Sequence, residues 1–120
     1  MKKAILSLAA VMFLLSGFSN NVASARSSYI KLSVQATAYC ELGLTATGFD
    51  LSKNPDAKVI AVDPRVIPLG SRVYIPGYGT AVARDTGGRV KGHIIDLHVR
   101  SYAQAIKWGR KRVNIIVYRN

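Results

Sequence analysis

Apolar Leu32, Val34, Ala36 and Ala38 alternate with Lys31, Ser33, Gln35 and Thr37. A period of two belongs to a strand with one face buried, so residues 31–39 are expected to form a β-strand. Residues 58–62 form a short apolar run stopped by Asp63-Pro64, a second strand. Residues 72–75 and 80–84 are strand-like and are separated by Pro76-Gly77-Tyr78-Gly79. There proline presets the first turn dihedral and glycine supplies the positive one, which predicts a hairpin with Asp85 at its far end. Residues 92–99 and 113–118 complete the strands. Residues 41–57 carry Gly43, Gly48, Asn54 and Pro55 among polar residues and read as a loop rimming whatever site the barrel carries. One helix is expected: Ser101 caps it, Gln104 completes a capping box and Gly109 ends it. Ala105 with Trp108, and Tyr102 with Ile106, give it an apolar side, and Trp108 reads as core rather than as a sugar platform. Six or so short strands and one helix predict a mainly β fold, a small closed barrel, because closure removes exposed strand edges.

The N-terminus follows a different pattern. Lys2 and Lys3 precede a mostly apolar run from Ala4 to Phe18, and a polar patch then closes on Ala23-Ser24-Ala25. These are the parts of a secretory signal peptide over residues 1–25, with cleavage before Arg26. The run is shorter than the roughly 20 apolar residues of a membrane span, and Ser7, Ser16 and Gly17 interrupt it. Contact with the membrane is therefore expected only in transit, and the protein is expected in the periplasm or the extracellular cell wall. Residues 26–120 suffice for one small domain. The chain has one cysteine, Cys40, so no internal disulfide forms and the apolar core alone must hold the domain together. Cys40 has no histidine near it in sequence and reads as a packed small hydrophobe.

Charge narrows the partners. The whole chain is +11; without Lys2 and Lys3, fifteen basic residues face six acidic ones, a net of +9. Such a protein is drawn to polyanions. Export and the scatter of the basic residues exclude nucleic acid as the partner, and an anionic cell envelope fits.

Acid is scarce and concentrated. Three of the six acidic residues stand in Ala61-Val62-Asp63-Pro64, Ala83-Arg84-Asp85-Thr86-Gly87-Gly88 and Ile94-Ile95-Asp96-Leu97. Their spacings, 22 and 11 residues, are unlike a compact calcium loop, and no metal or other cofactor is expected. Asp63 before proline and Asp85 before Thr-Gly have turn-capping as an alternative role, although Gly87 and Gly88 would let a ligand approach the backbone closely. Asp96 lies inside an apolar strand with no turn to cap, where a carboxylate costs energy unless it is used or paired. Carboxylates near one another cannot all ionise cheaply, so one keeps a raised pKa and can act as a general acid, the group that cleaves glycosidic bonds. Asp96 is the expected catalytic residue.

The ordered set Ala36-Thr37-Ala38-Tyr39, Thr45-Ala46-Thr47-Gly48, Val62-Asp63-Pro64, Val66-Ile67-Pro68-Leu69-Gly70, Gly77-Tyr78-Gly79, Asp85-Thr86-Gly87-Gly88 with Lys91-Gly92, Ile95-Asp96-Leu97 and Trp108-Gly109 resembles the 3D domain. That domain, named for its three aspartates, occurs in MltA-type lytic transglycosylases and in small exported proteins of the stationary-phase survival, YuiC-like group. The resemblance implies a six-stranded double-psi β-barrel with the aspartates at one groove. It implies cleavage of the peptidoglycan bond between N-acetylmuramic acid and N-acetylglucosamine without water, leaving a 1,6-anhydro end. Asp96 falls on the family's catalytic acid, Asp85 and Asp63 on its supporting aspartates, and Thr37, Tyr39, Thr47, Gly87, Gly88 and Lys91 on motifs lining the groove. One acid suffices, since Asp96 would protonate the leaving oxygen and then deprotonate the sugar's own 6-hydroxyl. A non-catalytic wall-binding or wall-loosening module, or a hydrolase using Asp85 to activate water, are the alternatives on the same groove.

Unlike the larger transglycosylases, the chain is expected to lack the additional domain that deepens their cleft, so affinity for a long glycan is expected to rest on the domain alone or on a second subunit, as in a homodimer. His98 follows the last aspartate motif where an aromatic or apolar residue is expected, and reads as a half-exposed strand histidine.

Overall fold

The computed structural model describes residues 28–119. The expected signal peptide, residues 1–25, lies outside them.

Six strands and one helix follow in the order β1 (Tyr29–Tyr39), β2 (Val59–Ala61), β3 (Arg72–Ile75), β4 (Gly79–Asp85), β5 (Ile94–His98), α1 (Tyr102–Trp108) and β6 (Lys111–Tyr118). They close into a barrel in the spatial order β1-β5-β2-β4-β3-β6. β1 and β5 are parallel, as are β2 and β4, and the other neighbours are antiparallel. This mixed, double-psi-like barrel is the mainly β architecture expected.

Alternation explains how the barrel fills. Val34 and Ala36 of β1, Ile60 of β2, Val73 and Ile75 of β3, Ala81 and Ala83 of β4, Ile95 and Leu97 of β5, and Ile115 and Val117 of β6 form one buried cluster. Their neighbours in each strand face outward, as a two-residue period requires. The length of β1 has a topological use. Its residues 29–36 pair with β6 and its residues 35–39 pair with β5, so this one strand joins both sides of the barrel.

Pro76-Gly77 makes the expected turn: Tyr78 N–H donates to the Ile75 carbonyl at 3.0 Å, and Gly77 has φ 82°. Positive φ at the third turn residue is the reason glycine stands there. Helix α1 has the expected capping box, with the Gln104 N–H donating to Ser101 Oγ at 3.2 Å and the Ser101 N–H donating to Gln104 Oε1 at 3.1 Å. Its apolar side is narrower than expected. Tyr102 and Ile106 are 72% and 63% exposed, and only Ala105 and Trp108 turn toward the barrel. Seven residues give two turns, and two turns cannot wrap a wider stripe around a curved sheet.

His98 also differs from expectation. It is 2% exposed, covered by the 41–57 loop, whose Pro55 carbonyl lies 3.0 Å from its Nε2. That carbonyl can only accept, so Nε2 carries the proton, and Nδ1 is left buried without a partner among the described residues.

Candidate functional site at the aspartate row

The outer faces of four adjacent strands carry one row of side chains. Ala61 of β2 pairs with Asp85 of β4 on one side and with Asp96 of β5 on the other, and Asp96 pairs with Thr37 of β1. A bulge makes this possible. Ala81 and Ala83 point into the barrel, so strict alternation would send Asp85 inward too. The β2–β4 register instead passes from Ile60↔Ala83 to Ala61↔Asp85, leaving Arg84 as the extra residue. The bulge re-aims Asp85 onto the outer face beside Asp96.

The three aspartates have different surroundings. Asp63 is 3% exposed and fully engaged: its carboxylate accepts from the Arg65 backbone N–H at 3.0 Å, from the Arg65 guanidinium at 3.1 and 2.8 Å, and from the Gly92 N–H at 2.8 Å. The Arg65 side chain, followed by the backbone N–H groups of Gly92 and Arg65, holds its pKa well below the usual carboxylate range. Asp63 shares no hydrogen bond with the row; it ties the segment after β4 to the turn after β2.

Asp85 accepts from the N–H groups of Ala46 and Thr86, both at 2.9 Å, and from the Tyr39 hydroxyl at 3.1 Å. Tyr39 belongs to β1, so its ring spans β5 and β2 to reach Asp85, resting edge-on against His98 at 5.5 Å. Burial, then the charge of Asp85, holds this phenol in its neutral, donating form.

Asp96 is half-buried and accepts one hydrogen bond, from Thr37 Oγ1 at 3.0 Å to Oδ1. Its Oδ2 has no partner among the described residues. Partial burial raises its pKa; the Thr37 hydroxyl opposes this, and the negative charges of Asp85 and Glu41 add to it. Asp85 and Asp96, 11 residues apart in sequence, are thus neighbours with distinct roles: one is saturated with donors, the other holds a free oxygen.

The remaining expected groove residues flank the row. Thr47 donates to the Arg84 carbonyl at 2.7 Å and, with Ala46, fastens the 41–57 loop along β4. Gly87 is where an added Cβ would meet Val90 at 3.0 Å, and Gly88 faces open space. Lys91 is exposed beside Gly92, which Asp63 anchors. Among the described residues no group of three His, Cys, Asp or Glu side chains is arranged to hold a metal ion.

The 3D domain family profile matches residues 58–119, more than half of the chain. The chain belongs to the 3D domain family.

Among relatives of this 3D domain, the Cell wall-binding protein YocH of Bacillus subtilis (strain 168) is 58% identical over 92 residues, covering 72% of this chain and 32% of that protein. The Putative cell wall shaping protein YabE of the same organism is 51% identical over 90 residues, covering 70% of this chain and 22% of YabE. The match thus spans a third or less of either relative. Among solved structures, the Streptomyces papain inhibitor (SPI) aligns with a TM-score of 0.54 at 20% identity, covering 76% of this chain and 96% of the inhibitor. That likeness supports the barrel fold.

Sequence reasoning missed two contributors to the 3D domain's surface. Glu41 lies just past β1, and its charge reaches Asp96; its signal was its position two residues after Tyr39. The second is a cleft of about 570 Å3 between α1 and the β3–β4 turn, lined by Lys58, Tyr78, His98, Lys107, Trp108 and Lys111 among others. Its residues come from four separate stretches, so no local pattern announces it. Trp108 does pack against the core as expected, and it also walls this cleft.

Proposed function

We propose that this 3D domain is exported, loses residues 1–25 and binds the glycan strands of peptidoglycan across the row Asp85, Ala61, Asp96 and Thr37. Sequencing the N-terminus of the secreted protein is expected to begin at Arg26. Support for wall binding comes from the family, from relatives named for cell wall binding and cell wall shaping, and from the strong positive charge. The observation that carries the choice of site is Asp96 Oδ2: of the three aspartates, only Asp96 keeps an oxygen that no donor among the described residues occupies. Such an oxygen, on an outward face, can accept from a sugar hydroxyl or share a proton with a glycosidic oxygen.

A catalytic reading on the same groove is favoured by the raised pKa of Asp96. In this lytic transglycosylase reading, protonated Asp96 gives its proton to the glycosidic oxygen as the C1–O bond breaks and the bonding pair leaves with that oxygen. The Asp96 carboxylate then takes the proton of the muramyl 6-hydroxyl while O6 bonds to C1, closing the anhydro ring and restoring the acid. Thr37 orients Asp96. Asp85, held by three donors, adds its charge to the burial that raises the Asp96 pKa, and is poorly disposed to activate water, which counts against hydrolysis. Asp63 keeps the 86–93 segment, with Gly87, Gly88 and Lys91, in place.

The test is incubation of the purified protein with insoluble peptidoglycan, reading both co-sedimentation and the mass of released products, beside Asp96→Asn. Wall binding predicts co-sedimentation by the normal protein. Anhydro-ended products from the normal protein that fall at least a hundredfold with Asp96→Asn would establish catalysis. Binding without products would leave a wall-binding module, and absence of binding would overturn the reading.

A further inference from the structure

We infer that the cleft between α1 and the β3–β4 turn is a second binding site, for phosphodiester-linked polymers of sugars or polyols. Three lysines line it: Lys58, Lys107 and Lys111. Two of them rest on aromatic faces, with Lys111 Nζ 3.9 Å from the Trp108 ring centroid and Lys58 Nζ 4.5 Å from that of Tyr78. Among the described residues none of the three lies within salt-bridge distance of a carboxylate. The acid that lines the cleft, Asp56, is taken by Arg100 at 2.7 Å. The aromatic rings thus hold two ammonium groups in position without neutralising them.

The choice of ligand follows from the donors and the floor. Lysine presents a compact charge with rotatable donors, which binds a phosphate as a point charge approached from several sides, without the bidentate geometry that arginine brings to carboxylate and phosphate alike. Trp108 supplies a fixed apolar wall for the carbon atoms of a sugar or polyol. Its Nε1 donates to the Ala36 carbonyl at 3.2 Å, its ring meets Tyr78 edge-on at 6.4 Å, and Gly77 passes close beneath, where an added Cβ would sit 3.5 Å from the ring. The aspartate row, with the carboxylates of Asp85 and Glu41, repels the same polymer. An anionic chain and a neutral glycan are therefore sorted to different faces of one barrel.

The chain has a single tryptophan, so its fluorescence reports on this cleft alone. The probe is a synthetic poly(glycerol phosphate) oligomer titrated into the full protein, beside a neutral N-acetylglucosamine oligomer and a muropeptide bearing stem carboxylates. A saturable change with the phosphate polymer that weakens with added salt is expected. Roughly tenfold weaker binding is expected for the Lys107→Gln, Lys111→Gln double variant, and unchanged binding for Asp96→Asn, which separates this site from the aspartate row. No saturable change up to millimolar polymer would overturn the proposal. So would an equal response to the neutral oligomer, tighter binding of the muropeptide, or indifference to the lysine substitutions.

Discussion

Asp96 shows how one residue can serve chemistry at the expense of stability. Its folded-state pKa is raised, chiefly by burial, so the folded protein holds its proton more tightly than the unfolded chain does. Below the ordinary aspartate value both states are protonated and nothing is lost. As pH rises through the window between that value and the raised one, the folded state is penalised, and above it the penalty is complete. Asp96→Asn, which can still accept from Thr37, is therefore expected to raise the melting temperature at neutral pH by on the order of a few degrees, with the gain vanishing below about pH 4. Thermal melts of both proteins across pH 3–8 check this; a gain that persisted in acid would show that burial of the charge is not its cause. Asp63 has the opposite sign: its lowered pKa stabilises the fold above the ordinary value, and that contribution is lost as pH falls through the folded one. All three aspartates were visible in sequence as candidates, yet which carboxylates would be saturated by donors depended on Arg65 and Gly92 at Asp63 and on Ala46 and Tyr39 at Asp85, three of them remote in sequence from the carboxylate they meet.

At the level of elements, local signals and their outcomes agree closely where the physics is local. The β3–β4 turn needed a proline and a glycine in sequence, and the helix needed Ser101, Gln104 and Gly109; both formed as read. Because α1 buries no residue fully, its cap carries an unusual share of its stability. Ser101→Ala is expected to cost about 1 kcal/mol and to speed amide hydrogen exchange across residues 102–109 while leaving the strands protected, a pattern that exchange mass spectrometry resolves. The bulge in β4 is the counter-example. Nothing in Ala81-Val82-Ala83-Arg84-Asp85 marks Arg84 as the residue that drops out of alternation, since the bulge is imposed by the pairing with β2. The loop of residues 41–57 was likewise opaque, because its order comes from irregular bonds, such as Thr45 to Phe49 and Leu51 to Gly43 within it and Ala46 and Thr47 to β4, that follow no period.

The whole molecule rests on a single core without a disulfide, with one or two inward side chains from every strand. Ile60 is fully buried in β2, between strand partners Ala83 and Leu97. Ile60→Ala is expected to cost about 2–5 kcal/mol, a fall in melting temperature on the order of 10 °C or more for a domain of this size. Urea unfolding with an unchanged slope and a lower midpoint would check it. A two-residue apolar period, turn residues and caps were enough for the sequence by itself to determine six or so short strands and one short helix, because each of those signals acts over a few neighbouring residues, and the need to protect strand edges pointed to closure. The motif order also determined the family. Tertiary structure alone decided which aspartates share a face, which one keeps a free oxygen, that His98 is buried, and that Lys58 joins Lys107 and Lys111 at one cleft. Each of those depends on pairings between strands or loops far apart in the chain, and a contact of that range leaves no periodicity for a local reading to find.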